Sequence, residues 1–130
     1  RSDDAGRTWR HAMSGMDRAY TIPLAAPIGG SDRVLTAAAA TPPPGWRANG
    51  TANAAIFASD DAGEQWTRVA DGLPSRFDSM VRWMLNDEGR VFAISATDLY
   101  VSGDGGAHWD AVPAPATVIT AAAVIPSLPA

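Results

Sequence analysis

One eight-residue pattern, S-x-D-x-G-x-x-W, occurs three times in this chain of 130 residues. The copies read SDDAGRTW, SDDAGEQW and SGDGGAHW, and they begin at Ser2, Ser59 and Ser102. We refer to them as boxes 1, 2 and 3 and number the positions within each box from 1 to 8. A repeated unit restricts the architecture strongly, because each copy must form the same local structure and pack against its neighbours.

The spacing of the boxes indicates the size of the repeat. Boxes 2 and 3 begin 43 residues apart, which matches the roughly 40–45 residues of a four-stranded propeller blade. Boxes 1 and 2 begin 57 residues apart, and most of the excess lies in the Pro-, Gly- and Asn-rich segment 41–53. Because this composition is typical of loops, we expect an inserted loop at 41–53.

Short segments rich in β-branched and aromatic residues, separated by turn residues, predict the strands. The expected strands are 19–24, 33–39, 54–59 and 65–69 in the longer repeat, and 80–85, 90–95, 98–102 and 107–112 in the shorter one. Residues 1–13 supply a box hairpin and a fourth strand, and 117–125 the first strand of another blade. The predicted fold class is all-β: a propeller fragment of one domain, with two complete four-stranded antiparallel blades (19–70 and 80–113) between partial blades.

The residue types of the box predict a tight hairpin. The Asp at position 3 can accept hydrogen bonds from nearby backbone N–H groups, and the Gly at position 5 is expected at positive φ. The Trp at position 8 can bury about 150–250 Å² over the hairpin. This structural set comprises Ser2, Asp4, Gly6, Trp9, Ser59, Asp61, Gly63, Trp66, Ser102, Asp104, Gly106 and Trp109.

An acidic set for calcium is the alternative role of the box carboxylates. Boxes 1 and 2 carry adjacent Asp pairs, whereas box 3 has Gly103 at position 2, which weakens a metal explanation. No metal site and no cofactor are therefore predicted.

The pattern resembles the Asp-box, or BNR repeat, of sialidases, sortilin-type receptors, xyloglucanase-type glycoside hydrolases and photosystem II assembly factors. The resemblance covers nearly the whole chain and includes the DGLP link at 71–74. Position 7, commonly Thr, is Thr8, Gln65 and His108. The resemblance implies a β-propeller with the boxes on one rim and ligands on the opposite face, in an extracellular or cell-envelope setting, but it implies no single function.

Composition and length limit which classes of partner are expected for this chain. The net charge is −4 and no basic run is present, so nucleic acid is not an expected partner. No apolar run reaches the roughly 18 residues of a membrane span. Even four blades of about 43 residues need about 170 residues. We therefore expect a fragment whose exposed edge strands pair with missing blades or with another chain.

The loops of the expected binding face are 41–53, 96–98, 14–18 and 71–79. In the first, Trp46 can offer an exposed aromatic face to a glycan or protein ligand, with donors on Arg47 and Asn49. The alternative is an ordinary surface insertion in which Trp46 lies back on the blade. Loops on a rigid scaffold are frequent sites of function, so we predict binding here.

A second candidate site is formed by Arg76 and Asp78 on the link between blades. An Arg can hold a carboxylate in a bidentate manner and an Asp can act as an acid or base, but a surface ion pair is the alternative. The same two interpretations, a binding role or a surface ion pair, apply to Asp17 and Arg18 one blade earlier.

Catalytic residues are not identified in this chain. Tyr20 and Tyr100 fall in predicted strands and are expected to pack, and His11 and His108 are expected to be strand residues. The predicted function is a non-catalytic BNR-repeat module for protein or glycan recognition. The alternatives are a fragment of a sialidase-like or xyloglucanase-like glycoside hydrolase with most catalytic residues outside this chain, and a purely structural scaffold.

Overall fold

Two open, four-stranded antiparallel sheets make up most of the structure, a computed structural model that describes residues 1–26 and 28–125. The first sheet contains β1 (Tyr20–Ala25), β2 (Val34–Ala39), β3 (Ala55–Ser59) and β4 (Thr67–Val69). The second contains β5 (Trp83–Asp87), β6 (Arg90–Ile94), β7 (Leu99–Ser102) and β8 (Asp110–Val112). Within each sheet the strands are paired in chain order, so both are simple meanders and the all-β prediction is confirmed.

The eight predicted strands all form, in the predicted order. The largest shifts are at β5, which begins at Trp83 rather than at residue 80, and at β8, which begins at Asp110 rather than at 107. Met80 and Val81 are buried without belonging to the strand. They enter the core from the segment that connects β4 to β5, and their burial explains why their apolar character resembled that of a strand.

The main core lies between the two sheets. Leu35 and Ile56 from the first sheet pack with Val91 and Trp109 from the second, and each is at most 1% exposed. The first strands of the two sheets, β1 and β5, also contact each other. A smaller cluster around Phe57 covers the opposite face of the first sheet. Apolar side chains on both faces of the central strands account for this layered burial.

Three predicted segments differ from the structure. The expected loop at 41–53 contains a helix, α1 (Pro43–Asn49), which is followed by Gly50 at φ 68°. Proline in the first turn and glycine just after the end are typical of helix boundaries. The expected loop was therefore only partly correct, because the prolines that indicated a loop instead begin a short helix.

The two expected partial blades form no strands among the described residues. In the first, Arg1 and Arg10 exchange two backbone hydrogen bonds of 2.7 and 2.9 Å across the hairpin of box 1. In 117–125, the Ile119 N–H donates to the Ala96 carbonyl oxygen at 2.8 Å. A strand needs a continuous hydrogen-bonded ladder, and neither segment has a neighbour that supplies one.

Candidate functional site

Each box is a hydrogen-bonded hairpin built around its Ser and Asp. The position-1 hydroxyl donates to the position-3 carboxylate at 2.7–2.9 Å and accepts the position-5 N–H at 2.7–2.8 Å. The same carboxylate accepts the position-7 N–H at 2.9–3.0 Å. The predicted hairpin chemistry is thus present in all three copies.

These bonds favour the charged form of the box carboxylates. The hydroxyl and the N–H of Thr8 lower the pKa of Asp4 to about 2. The backbone N–H at position 7 is the main cause of the lowered pKa of Asp61 and of Asp104. No group of three or more metal-ligating side chains is found in residues 1–26 and 28–125. In every box, the carboxylate accepts hydrogen bonds from its own hairpin.

The box turn uses two consecutive residues at positive φ. The glycines at position 5 have φ of 85°, 91° and 87°, as predicted. Position 4 is also left-handed, with φ of 58° at Ala5, 56° at Ala62 and 74° at Gly105. The positive φ at position 4 was not predicted from the sequence, because two of the three boxes carry Ala there. Gly105 is the one residue at this position whose type indicates a left-handed conformation.

The three box tryptophans differ in burial. Trp109 is 1% exposed and Trp66 is 9% exposed, whereas Trp9 is 75% exposed. The indole N–H groups of Trp9 and Trp109 donate to the position-5 carbonyl at 3.0 and 3.1 Å, and Trp66 donates instead to the Ala12 carbonyl at 2.8 Å. The predicted burial is wrong for Trp9, because no described segment covers that side of box 1.

Each of the two segments that follow boxes 1 and 2 is bonded to the tryptophan of the next box. The Ser14 carbonyl accepts the backbone N–H of Trp66 at 2.9 Å, and the Asp71 carbonyl accepts the backbone N–H of Trp109 at 3.1 Å. The next residues, Gly15 and Gly72, have φ of 89° and 77°, and a Cβ at either would overlap the tryptophan carbonyl oxygen. Glycine is required at both, for conformation and for space.

Three of the four predicted binding loops, 41–53, 14–18 and 71–79, meet at the end of the first sheet opposite to its box, which we call the loop end. Two backbone hydrogen bonds of 2.9 and 3.0 Å join Ala54 to Phe77, and the Ala52 N–H donates to the Asp78 carbonyl at 2.8 Å. The end of the insertion is therefore paired with the link 71–79. This pairing was not predicted.

Side chains extend this connection to a third loop. The Thr51 hydroxyl donates to Asp78 at 2.8 Å, and Arg76 pairs with the same carboxylate at 3.0 Å. From the loop 14–18, Arg18 donates to the backbone carbonyl of Asn53 at 2.7 Å and to its side-chain oxygen at 3.0 Å. Arg18 also pairs with Asp17 at 3.0 Å. Both Arg–Asp pairs are thus ion pairs, the alternative considered for each.

Trp46 lies against the sheet and not free in solvent. It is half-buried, its ring makes an edge-on contact with Tyr20 at 5.8 Å, and its indole N–H donates to the Thr41 carbonyl. The expected exposed aromatic face is therefore wrong, because an amphipathic indole gains more by covering apolar surface and pairing its N–H. Arg47 and Asn49 are exposed, and no partner for either is found in the described part of the chain.

The remaining singled-out residues have packing or surface roles. Tyr100 contacts Phe77 edge-on at 5.6 Å, and burial is the main cause of its raised pKa. The expected packing of Tyr20 and Tyr100 is confirmed. His108 lies in the box turn, not in a strand, and its Nδ1 pairs with Asp71 at 3.1 Å. That pairing is the main cause of the raised pKa of His108.

Comparisons with known protein families, with curated proteins and with solved structures found no match for this chain. Across residues 1–26 and 28–125, no helix has the length and apolar character needed to cross a membrane.

Proposed function

We propose that the chain is a segment of an Asp-box β-propeller and that its two sheets are consecutive blades. Both sheets have the same meander, and in both a box joins the third strand to the fourth. The register is also the same, since Val34 in β2 pairs with Ser59 and Val91 in β6 pairs with Ser102. A common register and adjacent first strands are what two blades of one propeller require.

We further propose that this segment is a non-catalytic module that binds a protein or glycan ligand at its loop end. The observation that carries the proposal is the joining of three loops into one hydrogen-bonded surface. Beside this surface, the side chains of Arg47 and Asn49 have no partner among the described residues. A surface ordered before binding loses little conformational freedom when a ligand arrives. By contrast, the box carboxylates already accept hydrogen bonds from their own hairpins.

In this arrangement the candidate residues have separate roles. Trp46 holds α1 against the sheet, and Asp78 holds the insertion to the link. Arg47 and Asn49 make the direct ligand contacts, and Arg76 contributes its exposed guanidinium at the edge. Arg–carboxylate contacts are strong and directional, so ligands with acidic groups are favoured.

Parallel screens on a glycan array and on a displayed random-peptide library test this proposal. We expect the wild-type chain to select ligands from one of the two sets, and the double variant Arg47→Ala/Asn49→Ala to lose them. Arg7→Ala is the matched control, because it removes an exposed Arg from box 1. Absence of any selected ligand, or equal binding by the double variant, would contradict the proposal. Cleavage of arrayed glycans would favour the hydrolase alternative.

A further inference from the structure

Two residues of the first sheet, Arg33 and Leu35, hold box 3 of the second sheet, and we call this pair the clamp. Arg33 donates from Nε to the carbonyl of Gly105, at position 4 of box 3, at 2.6 Å. Leu35 lies directly against Gly106 at position 5, where a Cβ would overlap the leucine side chain. A guanidinium on the position-4 carbonyl and an apolar side chain on the position-5 glycine thus join one sheet to the next box.

The same carbonyl is used in box 2. Arg1 donates from Nη1 to the carbonyl of Ala62, at position 4, at 2.8 Å. Within the described residues, nothing donates to the equivalent carbonyl of Ala5 in box 1, and Ala5 and Gly6 are both exposed. Box 1 is therefore the copy whose position-4 acceptor and position-5 glycine are still available.

The second sheet carries the equivalent two residues, and among the described residues neither forms a hydrogen bond with a box. Because Val34 and Val91 pair with the first Ser of boxes 2 and 3, Arg90 is the register equivalent of Arg33 and Phe92 is the equivalent of Leu35. The Arg90 guanidinium lies 5.3 Å from the Phe92 ring centre and pairs through Nη2 with Asp87 at 2.6 Å. Its Nε, the atom that Arg33 uses on Gly105, has no partner among the described residues, and the side chain is 58% exposed. Both residues line a groove of about 570 Å³ on the sheet face that points away from the first sheet.

Exposed apolar side chains mark the same two surfaces. The exposed large hydrophobic residues of the described chain are Trp9, Ile22, Leu24, Val118 and Ile125. Trp9, Ile22 and Leu24 line a groove of about 560 Å³ on the outer face of the first sheet. Val118 and Ile125 belong to the segment whose Ile119 N–H donates to the Ala96 carbonyl and whose residues 123–125 line the groove on the outer face of the second sheet. Exposed apolar patches of this kind mark interaction sites.

We propose that the outer face of the second sheet binds box 1 of a second copy of this chain, with Arg90 on the Ala5 carbonyl and Phe92 over Gly6. Residues 117–125 then lie against β1 of that copy, where Val118 and Ile125 meet Ile22 and Leu24. The contact continues the sheet-to-box interface already present within one chain. The link after box 3 has Pro115 in place of the glycine, so the association depends on Arg90 and Phe92.

Such a contact is head-to-tail, because two different surfaces meet. Sedimentation equilibrium of the full chain should therefore show mass that rises with concentration. We expect Arg90→Glu to weaken association by about tenfold or more, since a charged hydrogen bond is lost and about 1.4 kcal/mol corresponds to a factor of ten. Arg82→Glu is the control, because it makes the same charge change at an exposed arginine that does not line the groove, and it should leave association unchanged.

Mixing two blocked variants distinguishes this arrangement from a symmetric dimer. Phe92→Glu blocks the clamp and Leu24→Glu blocks the opposite groove, so each alone should be monomeric and an equal mixture should form a one-to-one heterodimer. If Phe92→Glu fails to fold by circular dichroism, Arg90→Glu replaces it. The proposal is overturned if the wild type stays monomeric at high concentration, if Arg90→Glu associates like the wild type, or if the mixture forms no heterodimer.

Discussion

The three box tryptophans form an internal series in which one residue type, at one position of one motif, differs in burial. Trp109 is 1% exposed, Trp66 is 9% exposed and Trp9 is 75% exposed. A buried tryptophan removes about 200 Å² from water, and at about 25 cal/mol per Å² this contributes about 5 kcal/mol. We therefore expect Trp109→Ala to lower the free energy of unfolding by about 3–5 kcal/mol, the range observed for such truncations.

Trp9 should respond differently. With three quarters of its surface in water, only about a quarter of the same area is buried, so Trp9→Ala should cost about 1 kcal/mol. Trp66→Ala should resemble Trp109→Ala, because Trp66 is buried and its N–H bond to Ala12 is also lost. The order of the three variants thus follows burial and not position in the motif.

Urea unfolding followed by far-ultraviolet circular dichroism measures these differences, because tryptophan fluorescence changes with each substitution. The samples must be dilute enough to be monomeric, since Trp9 also lies on the proposed association surface. Equal slopes with denaturant concentration would show that the variants unfold from comparable folded states. Equal losses for Trp9→Ala and Trp109→Ala would refute the assignment of stability to burial of the box tryptophan.

Three further expectations concern the turns. Gly72→Ala should cost about 3 kcal/mol or more, since strain at positive φ adds to overlap with the Trp109 carbonyl, whereas Gly50→Ala, at φ 68° in open space, should cost only about 1 kcal/mol; equal losses in urea titrations would argue against the overlap. Ala62→Gly relieves a left-handed alanine and should leave the melting temperature unchanged or raise it, while the reverse change, Gly105→Ala, should lower it; calorimetry that found the opposite signs would exclude strain at position 4. The lowered pKa of Asp61 means that its charge contributes stability above its ordinary pKa near 3.9, and this contribution is lost as the pH falls through the folded value. Asp61→Asn should therefore lower the melting temperature at pH 6 and have a smaller effect at pH 2, and an effect that did not change with pH would contradict the charge assignment.

The sequence predicted those features that depend on neighbouring residues. Alternating short apolar segments and turn residues located all eight strands, and Ser59, Asp61 and Gly63 predicted their own hairpin. The helix α1 was missed, although Pro43 and Gly50 stand where a short helix begins and ends. Three consecutive prolines were interpreted as a loop, and the contact of Trp46 with Tyr20 in the sheet is not visible in the local sequence.

Features that depend on distant residues were not predictable in this way. The bond from Arg18 to Asn53 spans 35 residues, and that from Arg33 to Gly105 spans 72. The residues next to Arg18 and Arg33 in the sequence do not distinguish these arginines from exposed ones. The exposure of Trp9 also reflects what lies beside box 1, not the motif itself. The candidate site was therefore predicted as a set of loops, but its internal connections were not.

The link glycine has a consequence for how such a chain can grow. Tandem duplication of residues 72–114, a unit of 43 residues, would place a copy of Gly72 directly after Ala114. That glycine would stand six positions beyond Trp109, as Gly15 and Gly72 stand six beyond Trp9 and Trp66. The added unit would bring its own box, its own clamp arginine and its own link. A single genetic event would thus lengthen the protein by one repeat without requiring a new kind of contact.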